Sequence, residues 1–240
     1  MGLFDKFSKK EQEKKLNETL DQVLEKALVC LESDDDAVFD KGYDAIVRAA
    51  DMGHAPSMVV LGELLEDDYP TEAIAWYEKA AAAGNTDAMD SLIWLYGENK
   101  SDENKKKLVR LLEYYAPRKK DEVLFVLLGT IYMRGDGCAF NPEKAFKVLS
   151  EAVKTGSAYG QYLLGLLYEK GQGCTLDITK AQELFKSAYA GGCQQAKEKV
   201  EFWERFNDDV DKRRLELAQK YINSSDPELR KMAEELLGQK

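Results

Sequence analysis

The 240-residue chain contains one histidine, His54, and only 5 prolines. A single histidine cannot form a histidine cluster around a metal ion, and it disfavours a Ser–His–Asp catalytic site. The sequence patterns of zinc proteases, serine hydrolases, β-lactamases and phosphate-binding loops are also missing. The sequence therefore predicts no catalytic residue, no metal site and no cofactor.

Long apolar runs are missing as well. No stretch approaches the ~20 apolar residues that a membrane-spanning helix needs, and residues 1–7 lack the apolar core and cleavage site of a secretion signal. Cys30, Cys138, Cys174 and Cys193 show no Cys-x-x-Cys spacing. Thiols in a chain without a secretion signal are expected to be reduced, so we expect a cytoplasmic protein.

The charge balance disfavours nucleic acid as a partner. With 44 acidic and 34 basic residues the net charge is −10, which repels phosphates over most of the surface. Two basic clusters, Lys105–Lys107 with Arg110 and then Arg118–Lys120, have acidic neighbours at Asp102, Glu103 and Asp121. We interpret these clusters as solvated helix ends.

The sequence does contain an internal repeat. Leu128-Gly129 recurs as Leu164-Gly165, at an offset of 36 residues. Five further matches at this offset are Tyr132 with Tyr168, Gly135–Cys138 with Gly171–Cys174, Lys144-Ala145 with Lys180-Ala181, Ala152 with Ala188, and Gly156 with Gly192. A fixed period of this length predicts stacked pairs of helices.

Earlier copies of the repeat are less regular. In one copy Leu61-Gly62 takes the place of Leu128-Gly129 and Gly84 is the closing glycine, and the next copy has Ile93 at the glycine position. Residues 37–53 resemble the second half of a copy, so we predict an unpaired second helix there. The pattern predicts four helix pairs between residues 55 and 190.

Glycine inside a helix costs ~1 kcal/mol relative to alanine. Gly62, Gly129 and Gly165 are expected to repay that cost by letting a neighbouring helix approach closely. The second helices carry small residues for the same purpose: Ala73, Ala80, Ala145, Ala152, Ala181 and Ala188. Gly135 and Gly171 are predicted to end first helices, with Asn141 and Asp177 capping the second helices that follow.

The pattern Ala-x4-Leu-Gly-x2-Tyr-x2-Gly-x-Gly, followed by Lys-Ala and a closing Gly, resembles the Sel1-like repeat, a cousin of the tetratricopeptide repeat. The match is strong over 121–192, fair over 55–85 and weak over 86–120. The resemblance implies an α/α superhelix and a role as an adaptor in bacterial protein complexes. A cysteine-rich branch of the family is linked to β-lactam binding, but Cys138 and Cys174 have no partner cysteine within their own repeats.

The repeats are predicted to be flanked by helical caps, which gives three segments: 1–36, an amphipathic capping helix; 37–193, the repeat solenoid; and 194–240, capping helices. The N-terminal cap has an apolar stripe of Leu16, Leu20, Val23, Ala27 and Leu31, with Leu24 and Leu28 beside it. An alternative function for this end is a weak membrane-surface or partner contact through Leu3, Phe4, Phe7, Lys6, Lys9 and Lys10.

At the C-terminal end we predict a helix that begins near Gln194 and a second one around Leu215–Tyr221. Ser225–Glu228 has the sequence of a capping box and is predicted to open a last helix. The alternative is that this tail folds back into the binding groove and regulates it.

By analogy with tetratricopeptide repeats, the first helix of each pair is expected to line a concave face. The predicted partner-binding residues are Val59, Glu63, Asp90, Trp94, Val123, Val126, Thr130, Tyr159, Tyr162 and Leu166. Such an apolar, aromatic groove suits a peptide or a helix. The alternative is that these residues pack against the chain's own ends.

These observations predict a non-enzymatic scaffold or adaptor for a protein or peptide partner. Two alternatives remain open. One is a hydrolase or β-lactam-binding enzyme of the cysteine-rich branch, and the other is a self-assembling structural module.

Overall fold

The computed structural model describes residues 3–98 and 101–238, with the side chains of residues 3–10 outside the described part. Within these ranges the chain forms helices and no strand, which confirms the all-α prediction. The helices are α1 (Leu3–Leu31), α2 (Asp36–Asp51), α3 (Ala55–Leu65), α4 (Pro70–Ala82), α5 (Thr86–Glu98), α6 (Asp102–Lys119), α7 (Glu122–Arg134), α8 (Pro142–Lys154), α9 (Ala158–Lys170), α10 (Ile178–Ala190), α11 (Lys197–Tyr221) and α12 (Pro227–Gly238), with a 3-10 turn at Gln194–Ala196.

The chain divides into two compact units, Met1–Tyr115 and Ala116–Lys240. In the first unit α1 packs on α2, α2 on α3, α3 on α4 and α4 on α5, and in the second unit each helix from α7 to α11 packs on the next. Contact between consecutive helices is typical of an α/α solenoid. The four predicted pairs correspond to α3/α4, α5/α6, α7/α8 and α9/α10. The division of the chain into caps and repeats stays a prediction.

The predicted close approach at the repeat glycines is confirmed, and the residue that makes the contact is a large one. A Cβ added to Gly129 would lie 2.6 Å from Leu149 Cγ, and one added to Gly165 would lie 2.7 Å from Phe185 Cε1. Tyr77 covers Gly62 in the same way. These three large side chains are fully buried, and on each second helix an alanine precedes them by four residues and another follows by three. The alanines therefore flank the contact, and the large side chain lies on the glycine.

The predicted helix ends are confirmed. Gly135 and Gly171 end α7 and α9 in the left-handed conformation, with φ of 76° and 64°. The Asn141 side chain accepts a hydrogen bond from Lys144 N at 2.9 Å. Asp177 accepts the equivalent bond from Lys180 N, also at 2.9 Å. The loops between paired helices are thus fixed by local chemistry.

The prediction that the second helix at 37–53 is unpaired was wrong, because α1 packs along α2. Leu20, Leu24 and Ala27 are buried in this contact, while Leu16 and Leu28 are exposed, so the buried stripe is narrower than predicted. The glycine of this pair, Gly42, is on the second helix. The alternative N-terminal contact through Leu3, Phe4, Phe7, Lys6, Lys9 and Lys10 lies outside the described side chains.

The C-terminal predictions need two corrections. The two helices expected between Gln194 and Tyr221 are one continuous helix, α11, since no glycine or proline interrupts it. The cap of α12 is Asp226, whose Oδ1 accepts a hydrogen bond from Glu228 N at 2.9 Å, and is not Ser225. Ala218 and Ala233 are buried where α11 and α12 pack together.

Substitution of Gly129 by alanine should lower the free energy of unfolding by about 1–3 kcal/mol, because the new methyl group must displace the fully buried Leu149. Gly97 provides the matched control: it lies in α5, and a Cβ added there meets no atom within 4 Å. Gly97→Ala should leave stability unchanged or raise it by up to about 1 kcal/mol. Urea denaturation checks both variants, and equal effects would contradict the close-contact interpretation.

Candidate functional site

In the first unit, the residues predicted to bind a partner lie on α3 and α5. Trp94 is 58% exposed, and Glu63 and Asp90 are also exposed. Val59 is only 7% exposed, so it offers a partner almost no surface. Burial, with the nearby carboxylates of Glu66 and Asp87, raises the pKa of Glu63 above its usual value. Among the predicted residues of this unit, Trp94 is therefore the one aromatic side chain, and the exposed Glu63 and Asp90 add acidic groups.

In the second unit, the predicted residues on α7 range from exposed to half-buried. Val123, in the first turn of α7, is 64% exposed. Val126 and Thr130 are half-buried, and Thr130 Oγ1 donates a hydrogen bond to the Val126 carbonyl at 2.8 Å. Thr130 thus has a local partner, and Val123 is the most accessible apolar side chain of this helix.

Tyr159 and Tyr162 on α9 differ in how they are packed. Tyr159 is exposed and borders a cleft of about 380 Å³ at the start of α9. Tyr162 is half-buried, with its ring centroid 5.8 Å from that of Tyr159 and 6.0 Å from that of Phe185. It also packs against the buried cluster of Ala188, Cys193 and Ala196. Burial raises the pKa of Tyr162, with smaller effects from neighbouring groups. Tyr162 is therefore partly a core residue.

The helix α11, near the C-terminal end, contacts the same side of α9. Glu169 accepts a hydrogen bond from Lys199 Nζ at 2.6 Å and another from Trp203 Nε1 at 3.1 Å. Glu169 lies two helical turns beyond Tyr162, with the half-buried Leu166 between them. In the second unit, the chain's own end therefore lies against part of the predicted surface.

One constellation was missed in the sequence. His54 Nε2 lies 3.0 Å from Asp21 Oδ1, and His54 Nδ1 lies 2.7 Å from Ser57 Oγ. Because a carboxylate only accepts, Nε2 donates to Asp21, while Nδ1 makes the second hydrogen bond with the Ser57 hydroxyl. These are the residue types of a serine hydrolase, but Ser57 is 0% exposed and His54 is 2% exposed. The three residues instead connect α1 to the first turn of α3.

Of the two hydrogen bonds, only the one between His54 and Ser57 joins residues that are neighbours in the sequence. His54 and Ser57 are three residues apart at the start of a helix, which is within one turn. Asp21 is 33 residues before His54, and no repeat or motif relates the two. A prediction that α1 packs on α2 would have brought Asp21 near His54.

The remaining chemical groups of the described residues suggest no further site. All four cysteines are free thiols, with Cys193 buried and the others half-buried. No group of three or more His, Cys, Asp or Glu side chains among the described residues could hold a metal ion. None of the helices that the structure describes is long and apolar enough to cross a membrane.

The Sel1 repeat family model matches the chain at residues 61–85, 126–153 and 158–193. The chain carries Sel1 repeats. The three matches correspond to α3/α4, α7/α8 and α9/α10, and the pair that contains Ile93 in place of glycine is not matched. Sel1 repeats are commonly protein–protein interaction modules, and proteins built from them are generally non-enzymatic.

Similar proteins come from bacteria. An uncharacterized protein of Neisseria meningitidis serogroup B is 34% identical over 110 residues, which cover 45% of this chain and 23% of the relative. A protective antigen of uropathogenic Escherichia coli with an SLR fold superposes with a TM-score of 0.53 at 19% identity, over 89% of this chain and 44% of that chain. A Sel1 repeat protein of Oxalobacter formigenes gives a TM-score of 0.48 at 21% identity, over 83% and 76%. The Sel1-repeat chain spans less than half the length of the first two.

Substitution of His54 by alanine should destabilise the contact between α1 and α3, since it leaves the buried Ser57 hydroxyl without its partner. The expected loss is about 1–3 kcal/mol, with faster hydrogen exchange at α1 amides around Leu24 and unchanged exchange in α9. Asp21→Asn is the matched control, because the amide oxygen still accepts from Nε2. Equal exchange of α1 in His54→Ala and wild type would contradict this role.

Proposed function

We propose that this chain binds a partner polypeptide through exposed apolar side chains on the first helices of its repeats, as a non-enzymatic adaptor in the cytoplasm. The presence of Sel1 repeats supports a protein partner, and four free thiols suit a reducing compartment. The observation that carries the proposal is Trp94, a tryptophan that is 58% exposed on a well-packed helix.

An exposed tryptophan is costly in water and is typical of binding hot spots. The next residue along α5, Leu95, and Leu92 are buried, so α5 is held firmly while the Trp94 ring extends into solvent. Binding through a side chain on a rigid helix loses little conformational entropy. This is the arrangement that a preformed recognition surface requires.

In the second unit, the candidate binding residues are Val123 and Tyr159. Both are exposed, both lie in the first turn of a first helix, and Tyr159 borders the cleft of about 380 Å³. Tyr162 is a poorer test residue, because its contacts with Phe185 and the buried cluster that contains Cys193 make it part of the core. Loss of binding in a Tyr162 variant would be hard to separate from loss of stability.

Trp94→Ala should weaken binding of the partner by about 2 kcal/mol, or roughly thirtyfold in Kd. Tyr69→Ala is the matched control, because Tyr69 is also an aromatic residue 58% exposed in the same unit. Quantitative affinity purification from the native host identifies the partner, and calorimetry with the purified partner then measures Kd. Both variants should melt within a few degrees of wild type.

Three results would contradict this proposal. The first is equal loss of the partner in Trp94→Ala and Tyr69→Ala, and the second is full retention in Trp94→Ala. The third is a strong loss of thermal stability in Trp94→Ala, which would make this residue a core residue.

A second candidate function, self-association, is favoured by a stripe on α11. Phe202, Phe206, Val210 and Leu217 recur at helical spacing along one face and are all exposed. Acidic Asp209 borders the stripe near its middle, and basic Arg213 follows one turn later. In an antiparallel pair related by a two-fold axis, Asp209 of one copy would face Arg213 of the other.

Phe206→Glu should abolish this self-association, because it places a charge in the middle of the shared apolar stripe. Leu215→Glu is the matched control, since Leu215 is equally exposed on the other side of α11. Light scattering after gel filtration should give a dimer for wild type and Leu215→Glu, and a monomer for Phe206→Glu. A monomeric wild type would dismiss self-association.

A further inference from the structure

A cavity of about 430 Å³ lies between α4, α5 and α6 in the first unit. Its walls are largely apolar, with Met89 and Leu92 on α5 and Leu111 on α6. The volume falls within the range of about 300–1,000 Å³ that small-molecule sites occupy, and an apolar wall with a few polar groups is their usual lining. No motif or repeat position in the sequence indicates this site.

One end of the cavity is polar. Glu78 Oε1 accepts hydrogen bonds from Tyr96 Oη at 2.6 Å and from Lys107 Nζ at 2.7 Å. Burial alone would raise the pKa of Glu78, but the two hydrogen bonds and the lysine charge outweigh burial and hold it below the usual value. The Glu78 carboxylate and the Lys107 ammonium therefore compensate each other's charge.

Arg110 adds a positive charge that is not compensated. Lys107, Arg110 and Leu111 lie on one face of α6 at three- and four-residue spacing, and all three line the cavity. Arg110 makes no ion pair with any of the described residues. The cavity thus combines apolar walls with one net positive charge, in a chain whose total charge is −10.

The cavity is separate from the proposed partner surface. On α5, Met89, Leu92 and Tyr96 face the cavity. At 100° per residue Trp94 lies on the opposite side of the helix. A ligand in the cavity therefore would not compete directly with a partner at Trp94.

We propose that this cavity binds a small amphiphilic carboxylate, with its apolar group against Met89, Leu92 and Leu111 and its carboxylate at Arg110. A guanidinium group matches a carboxylate in both charge and geometry. A cationic ligand would meet Arg110 and find the carboxylate of Glu78 already paired. A fully apolar ligand would make no use of the Arg110 charge, which is solvent-exposed.

The test uses 4-phenylbutyrate as the probe and its neutral amide, 4-phenylbutyramide, as the isostere, with affinities measured by saturation-transfer NMR. Wild type should prefer the carboxylate, and Arg110→Gln should weaken carboxylate binding by about fivefold while leaving amide binding unchanged. Lys106→Gln is the matched control, because it removes the same charge from α6 outside the cavity.

A second pair of variants tests the location. Ala82 lines the cavity and Ala83, the next residue, does not. Ala82→Trp should fill the cavity and abolish binding of both probes, whereas Ala83→Trp should leave binding intact; circular dichroism checks that both variants fold. The proposal is overturned if wild type binds neither probe, if Ala82→Trp binds like wild type, or if Arg110→Gln and Lys106→Gln weaken carboxylate binding equally.

Discussion

The spacing of each matched helix pair depends on one contact, in which a large buried side chain of the second helix lies on a glycine of the first. Each glycine costs ~1 kcal/mol in helix propensity, whereas full burial of Tyr77, Leu149 or Phe185 contributes about 1.5–3 kcal/mol. The contact is therefore favourable, and it is specific, because a Cβ at Gly62, Gly129 or Gly165 would overlap the partner side chain. With the inner face of each first helix committed in this way, its other positions remain available to solvent and to partners.

The sequence predicted the parts of this fold that depend on neighbouring residues. The repeat offset, the left-handed glycines Gly135 and Gly171, and the caps Asn141 and Asp177 all follow from local chemistry, and the structure contains each of them. The α1/α2 pair was missed because α1 has no repeat pattern, and its partner glycine, Gly42, is on the second helix. The contact between Asp21 and His54, like the cavity, joins residues that are distant in sequence and carry no periodic signal.

The irregular repeat, α5/α6, contains Trp94 and most of the residues that line the cavity. Ile93 occupies the glycine position of α5, so a large side chain of the next helix cannot lie on α5 there as Leu149 lies on Gly129. This is also the pair that the Sel1 family model does not match. Trp94 and the cavity residues Leu92 and Tyr96 are all close to Ile93 along α5. Because the close contact of the other repeats is missing at Ile93, the side chains of α5 remain available for the proposed binding sites.

The side chains proposed for binding are more clearly separate from the core on α5 than on α9. On α9, Tyr162 contacts Phe185, and Phe185 lies on Gly165, so a partner that moved Tyr162 would disturb the contact that sets the α9/α10 spacing. On α5, Trp94 lies on the side opposite to Leu92 and Tyr96, and a partner could bind its ring without disturbing the buried residues. Because interiors are close-packed, a surface residue in contact with the core transmits strain, and one that is separated from it does not. If the proposed surface binds a partner, a Trp94 substitution should change affinity alone, whereas a Tyr162 substitution should change stability as well.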